Sequence, residues 1–141
     1  MLKLLLATDG SEASNNAIAK LLDCLPWYRP PVEIHLLNVQ QTLHGDIWGF
    51  LGQDKVREHH REEGVKALQW ARTQLDAAGI PHVFHIGVGN PADVIVQYAK
   101  EKSCDQIVIG PRGLGSVGGL LLGSVATKVL SLAHVPVLVL R

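Results

Sequence analysis

The chain has 141 residues, enough for one domain of ordinary size, and its 47% hydrophobic content supplies a sizeable core. Thirteen basic residues balance thirteen acidic ones, which argues against a nucleic-acid platform or a polybasic membrane surface. Aromatic residues make up 5%, too few for a base-stacking surface. Cys24 and Cys104 lie far apart without metal-ligand spacing and read as buried thiols in a reducing compartment. No run reaches the ~20 apolar residues of a membrane span. The start, Met1 to Asp9, is too short and too soon acidic for a signal peptide, so a cytoplasmic location is expected.

In chain order, Leu2 to Thr8 reads as a buried strand. Ser11 is placed to cap a helix running to about Leu25, with Ala17, Ile18, Leu21, Leu22 and Leu25 on one face. Pro26, Pro30 and Pro31 stop it. Val32 to Val39 is a second strand, and residues 40–53 follow without periodicity, with Trp48 and Phe50 among glycines. Asp54 to Ala78 predicts a long helix with the stripe Val65, Leu68, Ala71, Leu75, Ala78, closed by Gly79. Its charged run around His59 and His60 reads as a solvated face. His82 to Val88 is the third strand, and Asn90-Pro91-Ala92-Asp93 opens a helix that turns Val94, Ile95, Tyr98 and Ala99 inward. The histidines His35, His82 and His85 fall in strands, without carboxylate or cysteine partners at ligand spacing, and read as structural. Gln106 to Ile109, Ser124 to Ala133 and Val135 to Leu140 give the last strand, helix and strand.

Strands separated by helices run parallel through right-handed crossovers, and near-continuous apolar strands suit a sheet covered on both faces. The expected class is α/β: a three-layer, doubly wound, five-stranded parallel sheet with four helices in one domain spanning residues 1–141. Two strand orders, 3-2-1-4-5 and 2-1-3-4-5, accommodate it. The first brings the ends of strands one and four into one crevice, where such sheets bind ligands. The chemistry favours it, because an acid, Asp9, follows strand one and a glycine loop follows strand four.

That loop is the most informative segment. Six glycines fall in the stretch from Gly110 through Gly123, and Gly123-Ser124 then opens a helix. Glycines let backbone approach a ligand closely, and a helix amino end adds unpaired N–H groups and partial positive charge, together a site for an anion such as phosphate. Gly113-Leu114-Gly115-Ser116-Val117-Gly118 matches a dinucleotide fingerprint. It lacks the acid about 20 residues on that would hold a ribose. No Gly-Lys-Ser/Thr occurs, so no loop lysine serves phosphoryl transfer. Neither Ser11 nor Ser124 has an identifiable histidine base.

Gly110, two residues, Gly113, nine residues and Gly123-Ser124 resemble the signature of the universal stress protein family. Ala7-Thr8-Asp9-Gly10-Ser11, Leu36-Leu37-Asn38-Val39, Gly89-Asn90-Pro91-Ala92 and the closing strand Val135 to Arg141 resemble further parts of that family, in order along the chain. The resemblance implies the order 3-2-1-4-5 and an adenine-nucleotide site. In that site Ala7 and Thr8 would line the base pocket, and Asp9 would bond the ribose or adenine side. Val39 would present backbone N–H and C=O to the adenine edge, with Ile109, Gly110 and Gly113 beside ribose and phosphates. Gly123, Ser124 and Val125 would offer N–H groups to the phosphates.

The chain departs from the family at Pro111, which has no N–H, at Arg112, which either grips phosphate or faces solvent, and at Asn38, where a histidine is common. The function implied is an ATP-binding regulatory or stress-response protein, possible Mg²⁺ accompanying the phosphates, with at most slow turnover. It would act as a homodimer through the last strand (Val135 to Leu140) on an unidentified protein partner. The alternative is a dimeric interaction module of the same fold without nucleotide.

Overall fold

Alternating strand and helix segments leave little freedom in how the chain winds, and the computed structural model, which describes residues 1–42, 52–111 and 122–141, shows the result. Its elements are β1 (Leu2–Ala7), α1 (Glu12–Cys24), β2 (Val32–Gln40), α2 (Gly52–Ala77), β3 (His82–Val88), α3 (Pro91–Glu101), β4 (Gln106–Ile109), α4 (Ser124–Leu132) and β5 (Val137–Val139). The five strands form one sheet in the order β3-β2-β1-β4-β5, every pair parallel. Of the two orders open to the sequence, this is the one that puts β1 beside β4. Expectations resting on Trp48, Phe50, Arg112 and Gly113 lie outside the described residues.

Side chains alternate across each strand, and the two faces bury separate cores. On one, Leu4, Leu6, Ile34, Leu36 and Val108 meet Ile18 and Leu21 of α1 and Leu68, Ala71 and Leu75 of α2. On the other, Leu5, Leu37, Ile107 and Ile109 meet Ala92, Ile95 and Ala99 of α3 and Ala126 and Val129 of α4. These are the three layers expected from the apolar strands.

The helix ends follow local chemistry. Ser11 caps α1, its hydroxyl accepting from the Ser14 N–H at 3.2 Å. Gly79, at φ 69°, ends α2: Ile80 N–H reaches Leu75 C=O and Gly79 N–H reaches Asp76 C=O, both at 3.0 Å, the paired bonds of a Schellman stop. Asn90 stands at the α3 cap position, but its side chain does not cap the helix; its Oδ1 accepts instead from Lys128 Nζ of α4 at 3.4 Å. β5 is shorter than Val135 to Leu140, yet bonds from Ile107 N–H to Pro136 C=O and from Leu140 N–H to Ile109 C=O extend its pairing at both ends.

The stripe of α2 keeps Leu68, Ala71 and Leu75 as expected and differs at its ends. Its buried positions are His60, Gly64, Leu68, Ala71 and Leu75; Val65 is half-buried and Ala78 exposed. The reason is Gly64. A Cβ there would stand 2.8 Å from the Ile86 side chain, so the helix seats on β3 along its glycine. His60, one turn before Gly64 on the same face, is buried with it, against its reading as part of a solvated face. Cys104 is buried, and burial pushes its thiol above the usual range; Cys24 is only half-buried, short of the expectation that both would be buried.

Gly10 joins β1 to α1 at φ 79°, and a Cβ on it would lie 2.9 Å from the Ala67 backbone of α2. Both conditions exclude a side chain. Gly10→Ala is therefore expected to lower the free energy of unfolding by about 2 kcal/mol or more, measured by chemical denaturation; a stability unchanged from the parent protein would refute this account of the corner.

Candidate functional site

β1 leaves the sheet before β2 does. Its register with β2 ends at Ala7↔Leu37, with one more bond from Thr8 N–H to Leu37 C=O at 3.0 Å, whereas β2 runs on beside β3 to Gln40. The departure opens a cavity of about 370 Å³ at the carboxyl end of the sheet, within the range of roughly 300–1,000 Å³ typical of small-molecule sites. It lies where the winding reverses, as ligand sites in such sheets do.

Every described residue expected at the site lines this cavity: Ala7, Thr8, Asp9, Val39, Ile109, Gly110, Gly123, Ser124 and Val125. Arg112 and Gly113 lie outside the described residues. Ser14, Leu37, Gln40, Gln41, Pro91 and Ile95 also line it, without having been expected. Of these, Ser14 was the most legible, since it stands three residues after a capping serine. Ile95 and Leu37 look like any core residue until the fold shows which end of the sheet they occupy.

Two contacts hold β1 in its departing course. Asn38, 2% exposed, donates from Nδ2 to Thr8 C=O at 3.0 Å and accepts from Gln40 Nε2 at 2.6 Å. The side chain thereby replaces the strand pairing that β1 has abandoned. Asp9 Oδ1 accepts from Ser11 N–H at 2.9 Å and from the Ser14 hydroxyl at 2.7 Å. Its carboxylate thus secures the start of α1, the role of a capping residue, while also lining the cavity.

Val39 gains its place from strand geometry. N–H and C=O of one strand residue point to the same side, and the side alternates along the chain. Leu37 points its carbonyl at β1, and Gln40 points its carbonyl away, to Gly89 N–H at 2.9 Å. Val39 therefore presents its own pair on the β1 side, beyond where β1 turned off.

The opposite wall is the amino end of α4. Gly123 is the cap residue, with φ −74° and ψ 169°, and supplies no side chain. The first-turn amides of Ser124, Val125 and Ala126 have no carbonyl one turn back within the helix. Gly123's own N–H is used differently from what the sequence suggested: it donates to Pro111 C=O, closing the two ends of the glycine loop on each other. Its carbonyl accepts from Thr127 N–H at 3.0 Å and Thr127 Oγ1 at 2.9 Å. Among the described lining residues, Asp9 alone carries formal charge. An anion here would be met by amides and the helix dipole.

Away from the cavity, the strand histidines have partners after all. His35 lies 2.8 Å from Glu33 and 3.0 Å from His85, and His82 lies 3.5 Å from Asp76. Residues two apart in a strand share a face, which is how Glu33 reaches His35. No group of three or more potential metal ligands occurs among the described residues, and none of their helices is long and apolar enough to cross a membrane.

These features define a class: a doubly wound α/β domain whose cavity combines a strand-end acid, an open strand backbone and a helix amino end. The chain belongs to the universal stress protein family, whose model matches residues 1–141. It is 31% identical to universal stress protein YxiE of Bacillus subtilis, over 99% of this chain and 98% of that protein. The solved structure of hypothetical protein MJ0577 superposes with a TM-score of 0.84 at 26% identity, covering 99% of this chain and 94% of that one. An Arabidopsis thaliana family protein solved with AMP bound has the same fold, with a TM-score of 0.72 at 23% identity over 99% and 91% of the two chains.

Asn38→Ala would leave the buried Thr8 carbonyl without its side-chain donor and should cost about 1–3 kcal/mol of stability. Urea denaturation measures this, and a loss below a few tenths of a kcal/mol would show that Asn38 does not hold the strand end.

Proposed function

We propose that this protein binds an adenine nucleotide, ATP with Mg²⁺ in the first instance, and acts as a regulatory homodimer in the cytoplasm rather than as a rapid catalyst. The observation that carries the reading is the convergence on one cavity of Asp9, the backbone of Val39 and the amino end of α4. A strand backbone offering one donor and one acceptor suits the adenine edge, which offers an acceptor at N1 and a donor at the amino group. Asp9 suits the ribose or base side. Ile109 and Gly110 suit the ribose side, and the amides of Ser124 and Val125 with the Ser124 hydroxyl suit the phosphates. Arg112 would add a bidentate grip on phosphate. Relatives of the same fold have been solved with AMP, cAMP and dAMP, which supports the adenine part of the reading.

The second reading, a dimeric interaction module without nucleotide, is favoured by one fact: Pro111 has no N–H and that of Gly123 is engaged, so two donors are missing from the phosphate side. Denaturing the purified protein and analysing released small molecules, followed by calorimetric titration with ATP, AMP and adenosine, separates the two. Absence of binding at millimolar ligand with magnesium overturns the first.

Ser124→Pro gives a sharper test of the phosphate wall. Proline suits the first position of a helix, and Gly123 already has the extended backbone that must precede it. The change removes one amide and one hydroxyl and spares the helix. Affinity for ATP and AMP should fall roughly tenfold, as for loss of a hydrogen bond to a charged group, with adenosine affinity unchanged. An equal loss for adenosine would move the phosphates elsewhere.

The dimer reading rests on β5, an apolar edge strand paired on one side with β4. Leu140 N–H faces β4, so Val139 N–H faces outward. Sedimentation should give a dimer, and Val139→Pro, which removes an outward donor while sparing the bond to β4, should shift it to monomer. A monomeric parent protein would end this part of the reading.

A further inference from the structure

Beneath the cavity, on the same face of the sheet, two histidines share a hydrogen bond. Side chains on alternate residues of β2 bring Glu33, His35, Leu37 and Val39 onto the α3 face, in that order toward the cavity. His85 enters from β3, whose register places it opposite Leu37. His35 Nδ1 and His85 Nε2 are 3.0 Å apart, the rings lie within 16° of parallel, and His35 is 6% exposed. The other ring nitrogen of His35 lies 2.8 Å from Glu33 Oε1. Tyr98 of α3 covers His85, with ring centroids 5.5 Å apart.

Counting protons shows what this arrangement tolerates. With one proton on the pair, His35 donates from Nε2 to the Glu33 carboxylate and from Nδ1 to neutral His85. With none, His35 still donates to Glu33, and His85 donates to His35 Nδ1. With two, both facing nitrogens carry hydrogen, no acceptor stands between them, and two cations face each other at 3.0 Å, one of them on buried His35. The charged groups around the pair are Glu33 on β2 and Lys102 on α3, with Tyr98 over the ring. Lys3, Cys104 and Asp105 share the surroundings of Glu33 and Lys102.

We infer that the His35–His85 contact is a proton-operated latch for the cavity wall: it holds with one proton or none, and a second proton drives His85 away from His35 and shifts Tyr98 of α3 above it. α3 is the element that conveys the change. Its Ile95 and Pro91 line the cavity, while Tyr98, one turn on from Ile95, covers His85. The helix is seated so closely that a Cβ on Gly87 of β3 would stand 2.6 Å from Val94 and 3.2 Å from Tyr98. A seat with no slack passes displacement along the helix rather than absorbing it. Burial, then His35, then Lys102 each hold His85 below the ordinary histidine value of 6.5. The sign follows: the unfolded chain takes up this proton more readily than the folded one. The latch therefore contributes stability above that value and loses it as pH falls below 6.5.

The test is an NMR titration of the ligand-free, isotope-labelled protein from about pH 8 to about pH 5, across the histidine range. The expected result is one transition below the ordinary histidine range, shared by the His85 ring and the amides of Gly87, Ile95 and Tyr98, with faster amide exchange in α3 on its acid side. His85→Gln should abolish the shared transition. Glu33→Gln, at a half-buried position that leaves the core intact, should move it to lower pH by removing the charge that favours protons on the pair. A His85 ring titrating at the ordinary value, or a titration that leaves the α3 amides unmoved, would overturn the latch.

A second arm rests on the adenine-nucleotide reading. The parent protein should lose roughly fivefold in AMP affinity on the acid side, beyond the loss that His85→Gln shows from protonation of the phosphate itself, whose second pKa is about 6. Equal losses in both proteins would remove the link to the cavity. Failure to bind AMP at any pH, with the α3 transition present, would overturn the nucleotide reading and leave the latch standing.

Discussion

The cavity depends on β1 ending two residues or more before β2 does. A central strand that stops early leaves its neighbours with unpaired backbone, and unpaired backbone inside a protein must be answered by something. Here Asn38 answers part of it by bonding Thr8 C=O, Asp9 and Ser14 secure the chain as it turns into α1, and the remaining backbone at Val39 is open to a guest. Gly10 makes the turn sharp enough to lay α1 against α2 at Ala67. The cavity is thus bounded by the same contacts that end the strand, which ties its shape to the integrity of the sheet.

Asp9 illustrates how one residue serves two ends. Its carboxylate accepts from Ser11 N–H and the Ser14 hydroxyl, which fixes the side chain at the cavity rim. A group already held in place loses little freedom when a ligand arrives, so its contribution to binding is not spent on ordering it. On the proposed reading, the role of capping and that of contacting a ligand do not compete at this position; the first would prepare the second.

The architecture was legible because strand and helix periodicity are local. Leu2 to Thr8 and His82 to Val88 declare themselves by apolar runs, and Gly79 ends its helix by a rule that concerns only its neighbours. Strand order was not local, and two orders satisfied every segment until the chemistry of Asp9 and the glycine loop was considered. The start of the α2 stripe was hidden for the same reason: that Gly64 rather than Val65 is buried is decided by Ile86, a residue of β3. In the site, residues at strand ends and helix starts could be named from the sequence. Leu37, Ile95 and Pro91 could not, since apolar residues look alike whether they face core or cavity. The use of Gly123's amide on Pro111 was equally out of reach, because a glycine's spacing says nothing of where its N–H points.

That last bond has a consequence for divergence. Pro111 and Gly123 clasp each other like two gateposts, tying the amino end of α4 to the chain just past β4. Closing a longer segment costs little extra, about 0.6 kcal/mol for each doubling. Descendants of such a chain can lengthen, shorten or recolour what lies between the gateposts and leave the helix dipole aimed as before. A scaffold of this kind is free to change its guest without relearning how to fold.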